Sequence, residues 1–311
     1  KTAGDRLQSH FSQPDPSRPV MTTEAAVRER YAAAAQLKEK ALCCAVDYDA
    51  KYLEAIPKEV IECDYGCGDP SQYLREGETV LDLGSGTGKI CFIASQVVGP
   101  KGCVIGVDMT DEMLEIARRN APIVAKNVGH ANVEFRKGRI QDLALDFELL
   151  DAELKNGSHT ELEAETIAER LRVQTPMIDS CSVDVVVSNC VLNLVASSEK
   201  RHLFSELFRV LKPDGRAVIS DIVGSDDVPV DLQNDPELWS GCISGALRED
   251  RFLHAFTEAG FEPVRILRRE EKVWQHVGGI DFRSVTVEAR KPGGDVVLKP
   301  EACCTPESGC C

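Results

Sequence analysis

The residues of this chain most open to chemistry are cysteines, 13 of them, and several stand in segments too distinctive to be incidental. Cys190 sits in Ser188-Asn189-Cys190-Val191-Leu192-Asn193-Leu194, and Cys242 in Trp239-Ser240-Gly241-Cys242-Ile243-Ser244-Gly245-Ala246-Leu247. Cys67 lies in a Tyr65-Gly66-Cys67-Gly68 loop, and Cys43 and Cys44 are adjacent at the end of an Ala-rich helical stretch. Thiolates are soft ligands that select soft centres, and paired thiols can exchange electrons as disulfides. The residues alone therefore indicate a soft, thiophilic centre. A free cysteine is equally at home as a small buried hydrophobe. That reading is preferred for Cys91, Cys103 and Cys181, which fall in helix-, strand- or edge-like positions. Cys63, four residues before Cys67, is open to both readings. Six histidines, none at zinc-ligand spacing from a cysteine, leave no case for a structural zinc.

A second constellation is Asp82-Leu83-Gly84-Ser85-Gly86-Thr87-Gly88, which follows a strand-like run and opens a helix. Glycines there let the backbone turn tightly and approach a ligand closely. Asp108 follows Gly88 by 20 positions, at the end of the next strand, where an acid can accept hydrogen bonds from ribose hydroxyls. A dinucleotide site needs Gly or Ala at the sixth position of its fingerprint, and here that position is Lys89. The motif instead resembles the D-x-G-x-G-x-G of class I methyltransferases, whose cofactor, S-adenosyl-L-methionine, carries a sulfonium in place of a pyrophosphate. That resemblance implies cofactor contacts from Tyr65, Asp82, Gly84, Ser85, Gly86 and Gly88, and from Asp108 and Met109. It adds Ile140, in the segment Gly138–Asp142 where adenine would lie, and Asn189, close to the reacting methyl. Arg139 stands where such enzymes usually carry an acid.

The elements that must position these groups follow from periodicity. A helix is expected over 23–44 and another over 51–62. Strands are expected at 79–83, 103–107, 132–136, 183–187 and 216–220, alternating with helices at 89–98, 111–125, 200–211 and 249–259. Segments 263–273 and 284–290 read as a closing antiparallel pair. This alternation specifies an α/β fold with a doubly wound, mostly parallel, Rossmann-like sheet, which binds ligands at the carboxyl ends of its strands. The expected organisation is a disordered segment 1–22, then N-terminal helices and a cofactor-binding methyltransferase domain over 23–222. An acceptor-binding region with closing strands spans 223–291, and a flexible Cys-rich tail spans 292–311. Residues 143–178, acidic and weakly periodic, read as an insertion with helix over 162–171. The tail pairs Cys303-Cys304 and Cys310-Cys311 are either adventitious thiols or a capture device for a metalloid.

Four features, the Tyr65–Gly68 loop, the Asp82–Gly88 glycine motif running into Val107-Asp108-Met109-Thr110, the Ser188–Leu194 segment and the Trp239–Leu247 segment, together resemble the arsenite methyltransferase family over about residues 24–290. The resemblance implies that Cys190 and Cys242 bind trivalent arsenic (arsenite or methylarsenite). Cys67 and either Cys43 or Cys44 would complete the thiol set and form a disulfide during turnover. Methyl transfer would formally oxidise arsenic, the thiol pair would return electrons, and thioredoxin or glutathione would reset the enzyme in a detoxifying cycle. Asp64 before Tyr65, and Lys89-Ile90 after the glycine motif, depart from the family pattern. A net charge of −15 excludes nucleic acid and anionic membrane surfaces as natural partners. A secreted disulfide framework is disfavoured by chain length and by the lack of a hydrophobic leader. The expectation is thus a soluble, cytoplasmic monomer. Two other readings remain: a methyltransferase for another small molecule with merely buried cysteines, and a non-enzymatic metalloid-binding protein. The intact Asp82–Gly88 motif and Asp108 oppose the latter, and the four motif-embedded cysteines oppose the former.

Overall fold

The computed structural model describes residues 23–34, 46, 48–63, 66–155 and 157–294. Eight strands are formed among them: β1 (Thr79–Leu83), β2 (Cys103–Asp108), β3 (Val133–Lys137), β4 (Val183–Asn189), β5 (Leu211–Gly224), β6 (Val264–Arg269), β7 (Gln275–Val277) and β8 (Ile280–Arg290). They make one sheet in the order β3-β2-β1-β4-β5-β8-β6, with β7 paired to β8. The four pairings from β3 to β5 run parallel, and β8 then adds antiparallel to β5, β6 and β7. The connection order reverses between β1 and β4, and this switch point is where an open α/β sheet leaves a crevice beyond its strand ends.

The central strands are continuous apolar runs because helices cover both faces. Val80, Leu81, Leu83, Val185, Val186 and Val187 are all fully buried. One face packs on α8 (Lys200–Val210) and α11 (Glu249–Glu258), where Phe204 meets Phe256 edge-on at 4.8 Å. The other packs on α4 (Lys89–Val98) and α5 (Asp111–Val128) through Phe92, Ile93 and Leu114. The N-terminal elements are α1 (Thr23–Ala34), α2 (Ala50–Leu53) and α3 (Lys58–Glu62). The single helix expected over 51–62 is thus divided, because Pro57 lacks the amide a continuous helix needs there and serves as the N-cap of α3.

The insertion folds as a hairpin of α6 (Phe147–Leu154) and α7 (Glu161–Gln174), with a small core of Leu145, Ala168 and Leu171. Only the second helix was anticipated; Asp146, accepting from the Glu148 and Leu149 amides, starts the first. Two short helices, α9 (Val230–Gln233) and α10 (Pro236–Ser240), were not anticipated either. β5 is far longer than expected. It starts before the Lys212–Gly215 turn, which loops out with Asp214 at φ 63° while the register against β4 shifts, and it continues to Gly224 along β8. Residues 1–22, 35–45 and 295–311 lie outside the described residues, and with them the expected disorder of the N-terminus, the end of the first helix and the tail cysteines. Among the described residues, no helix is long and apolar enough to cross a membrane.

Candidate active site

A cavity of about 620 Å³ opens at the carboxyl ends of β1, β2 and β4 and is covered by α1. The glycine motif forms its floor, with Gly84, Gly86 and Gly88 at φ 66°, 52° and 90°. A Cβ on Gly84 would stand 2.4 Å from Val191 Cγ1, so glycine is required there for contact as well as conformation. At Gly86 an added Cβ would meet nothing within 4 Å, so the apex of the turn faces open cavity. Asp108 clamps that turn by accepting from the Gly86 amide at 2.9 Å and the Thr110 amide at 2.8 Å. Burial pushes its carboxyl above the usual range despite these bonds. The Ser85 hydroxyl is buried and has no hydrogen-bond partner among the described residues. Met109, Ile140 and Asp82 line the same space. An open glycine apex, an orphaned hydroxyl and an acid at the second strand end fit S-adenosylmethionine well. Tyr65 lies outside the described residues.

Asp82 is 2% exposed and accepts a hydrogen bond from the Cys91 thiol at 3.2 Å. Cys91 is therefore buried, as expected, yet it also bonds to the motif; burial and the nearby carboxylate push its thiol well up and keep it neutral. Arg139, the departure from the usual acid, pairs with Glu24 of α1 at 2.8 Å and stacks over Phe147. An acid from another element thus lines the cavity here, its carboxylate held by Arg139. Lys89 is also accommodated: its ammonium lies 3.7 Å from the centre of the Tyr48 ring.

Beside this cavity the structure gathers three of the singled-out cysteines. Cys67 and Cys190, 123 residues apart in sequence, are joined in a disulfide with a Cα–Cα distance of 5.7 Å. The Cys242 thiol donates to the Cys190 carbonyl at 3.1 Å. Each is buried. Cys43 and Cys44 lie outside the described residues, and the partner of Cys67 here is Cys190 rather than either of them. Cys63 is partly exposed and lines the cofactor cavity. Cys103 is partly buried at the start of β2. Cys181 departs from the buried-hydrophobe reading: it is exposed, in a left-handed turn with φ 54°, beside the Lys291 ammonium.

The flanking residues explain how the thiols meet. Asn189 lines the cavity, and its carboxamide is fully used on the Cys67 loop and Tyr48. Its oxygen accepts from the Cys67 and Gly68 amides, at 2.9 and 3.0 Å, and its nitrogen donates to the Gly68 carbonyl and the Tyr48 hydroxyl, at 2.7 and 3.1 Å. A Cβ on Gly66 would collide with that carboxamide. Ser284 of β8 donates to the Cys67 carbonyl. On the other side, Asn193 donates to Asp221, to the Ile222 carbonyl and to the Cys242 carbonyl. Trp239 Nε1 donates to the Leu194 carbonyl, and only glycine fits at 245, where a Cβ would stand 1.9 Å from the Asn193 oxygen. Asp221 is fully buried and also accepts the Leu192, Asn193 and Ile222 amides. Lys200, also buried, donates to the Leu192 carbonyl at 2.7 Å. Tyr31 of α1 hydrogen-bonds to Cys242, and burial, with that neighbour, pushes its phenol well up. Sequence reading missed Tyr31, Tyr48, Lys200 and Asp221. Asp221 stands at the end of the fifth strand run, where a buried polar residue is a readable signal; Tyr31 carried none beyond helical spacing.

The family model described as a methyltransferase domain matches residues 74–260. An arsenite methyltransferase of Halobacterium salinarum is 40% identical over 257 residues, covering 80% of this chain and 56% of that protein. One from Aquipseudomonas alcaligenes is 35% identical over 267 residues, covering 83% and 68% respectively. The chain belongs to the arsenite methyltransferase family. It spans between about half and two thirds of the length of the curated relatives it matches. Among solved structures, an arsenic(III) S-adenosylmethionine methyltransferase from Chlamydomonas reinhardtii superposes with a TM-score of 0.62 at 31% identity, covering 79% of this chain and 74% of that one. The class I methyltransferase fold of this arsenite methyltransferase relative is therefore established, as is S-adenosylmethionine as the cofactor of its family.

Proposed function

We propose that this chain moves the methyl group of S-adenosylmethionine to trivalent arsenic held by Cys67, Cys190 and Cys242, giving methylated arsenicals. What supports this is the convergence of those three cysteines, from three separate segments, beside the cavity of the glycine motif. Three thiolates bind arsenic(III) and leave its lone pair free, and binding displaces the thiol protons. When bound, S-adenosylmethionine supplies an electrophilic methyl to that lone pair. The nucleophile carries no proton, so no general base is required. The protein's part is placement, which is worth up to about 7–11 kcal/mol in well-oriented systems. Asn189 fixes the Cys67 loop, Asn193 and Asp221 fix the Cys190 segment against Cys242, and Tyr31 holds Cys242 from α1.

Methylation raises arsenic formally by two electrons, and two thiolates closing to a disulfide return them. The Cys67–Cys190 bond is one product of such a step. Cys43 or Cys44 would complete the thiol set, and a thioredoxin or glutathione system would reset the enzyme; a second cavity, lined by Val46 and Cys67, gives Cys67 a side away from the cofactor. Such chemistry belongs in a reducing compartment, the cytoplasm, and a single chain supplies all three thiols. Incubation with labelled S-adenosylmethionine, arsenite and glutathione is expected to yield methylated arsenicals. Cys190→Ser and Cys242→Ser should abolish product with cofactor affinity retained. Normal cofactor binding without any arsenical product from the parent chain would overturn the proposal.

A further inference from the structure

The disulfide separates two cavities. Cys190 lines the cofactor cavity and Cys67 does not; Cys67 lines a second cavity of about 250 Å³, which Cys190 does not. A disulfide is opened by a thiolate that attacks one sulfur and expels the other. Approach to Cys190 runs through the space the cofactor must fill. Approach to Cys67 does not, because the second cavity lies against β6 and β8, away from the glycine motif. Its walls include Arg268, Lys272, Trp274, Thr286, Asp69 and Glu270. Both acids are already engaged: Asp69 accepts from Ser71, and Glu270 pairs with Arg268 at 2.7 Å. Lys272 is exposed and has no carboxylate partner among the described residues. A recess of this size, with Cys67 only 5% exposed at its base, admits a peptide-sized thiol and not the face of another protein.

We propose that this second cavity docks a small zwitterionic thiol of the glutathione type, with a carboxylate on Lys272, which attacks the Cys67 sulfur. The thiol's S–H proton goes to solvent, its sulfur bonds to Cys67, and the Cys67–Cys190 bond breaks. Cys190 leaves as a thiolate facing the cofactor cavity. A second molecule of the same thiol then attacks the mixed disulfide, freeing the Cys67 thiolate and giving the thiol's own disulfide. Two thiols are oxidised and one protein disulfide is reduced. The role rests on the proposed arsenic-binding thiol set, since its effect is to restore that set while the cofactor stays bound.

The test follows disulfide opening in the oxidised full chain by quenched alkylation and peptide mass spectrometry, with glutathione, neutral 2-mercaptoethanol and cationic cysteamine. K272E is expected to slow glutathione by about fivefold, leave 2-mercaptoethanol unchanged and speed cysteamine. Saturating S-adenosylmethionine should leave the glutathione rate unchanged, and the trapped mixed disulfide should map to Cys67. The glutathione rate should persist in the Cys43→Ser, Cys44→Ser double variant. Equal effects of K272E on all three thiols, protection by the cofactor, trapping on Cys190, or loss of the rate in the double variant would each overturn the proposal. The readout contains no arsenic, so it can fail while methylation stands and hold while methylation fails.

Discussion

Cys190 and Cys242 adopt left-handed backbone, with φ 63° and 64°. For a residue with a Cβ that conformation costs roughly 1–2 kcal/mol, and such outliers gather at sites where geometry matters more than comfort. Here it lets two chain segments turn so that the Cys242 thiol meets the Cys190 carbonyl. Replacing Cys242 by Ala removes the sulfur and keeps the strain; replacing it by Gly removes both. In urea unfolding under reducing conditions, Cys242→Gly should therefore be more stable than Cys242→Ala by about 1 kcal/mol. The reverse order, normal at ordinary helix or strand positions, would mean that the turn is not held in solution. The cysteines themselves were legible in the sequence because each came with unusual neighbours. Their strain was not, because φ follows from what Asn193, Trp239 and Asp221 hold in place across the fold.

At the level of elements, α1 joins the two halves of the site. Glu24, Val27 and Arg28 line the cofactor cavity, Tyr31 reaches Cys242, and Arg30 donates to the Glu237 carbonyl at 2.9 Å and the Ser240 hydroxyl at 2.7 Å on α10. Charged donors bonded to neutral acceptors contribute about 1.5–3 kcal/mol when well placed, less at this partly exposed position. Arg30→Ala should release α1 from α10 and weaken S-adenosylmethionine binding about three- to tenfold in calorimetric titration, with little change in the unfolding midpoint, since α1 adds little to the two main core layers. Unchanged affinity would show that α1 closes the cavity without this latch. The parallel core, the glycine turn and Asp108 were readable because their signals are local: apolar runs, glycine spacing and an acid at a strand end. Pro57 dividing α2 from α3 was equally local and went unread. The antiparallel arrival of β8 between β5 and β6 was only half visible, as a closing pair, because its register is set by long-range pairing from Arg216↔Arg290 to Gly224↔Phe282. Asn189, placed by sequence beside the methyl group, lines the cofactor cavity, yet its carboxamide is held by the distant Cys67 loop and by Tyr48, partners that no local signal announces.

Across the whole molecule, the site rests on charge buried at the end of the central sheet. Asp221 on β5 is fully buried, and burial raises its carboxyl from 3.8 to about 6 although three backbone amides and Lys200 oppose that rise. Lys200 on α8 is lowered from 10.5 to about 8 by the same burial. The groups facing this pair are Tyr31 from α1 and Cys242 beyond α10. Between pH 3.8 and about 6 the folded state binds more protons at Asp221 than the unfolded chain does, so its contribution to stability falls as pH rises through that window and stays low above it. Lys200 behaves oppositely at the alkaline side: between about 8 and 10.5 the unfolded chain holds more protons, and stability rises with pH. The carboxylate is kept because it organises the Leu192–Asn193 amides and the Asn193 side chain, and through them the approach of Cys190 to Cys242. Asp221→Asn cannot titrate. The stability of the parent chain relative to Asp221→Asn should therefore decline between pH 4 and pH 7, by about 3 kcal/mol for a gap of roughly two pH units at 1.4 kcal/mol each. Urea unfolding at several pH values measures it. A difference independent of pH would mean that Asp221 is hydrated or compensated in the folded state, and that the acceptor segment is held by its hydrogen bonds at no electrostatic cost.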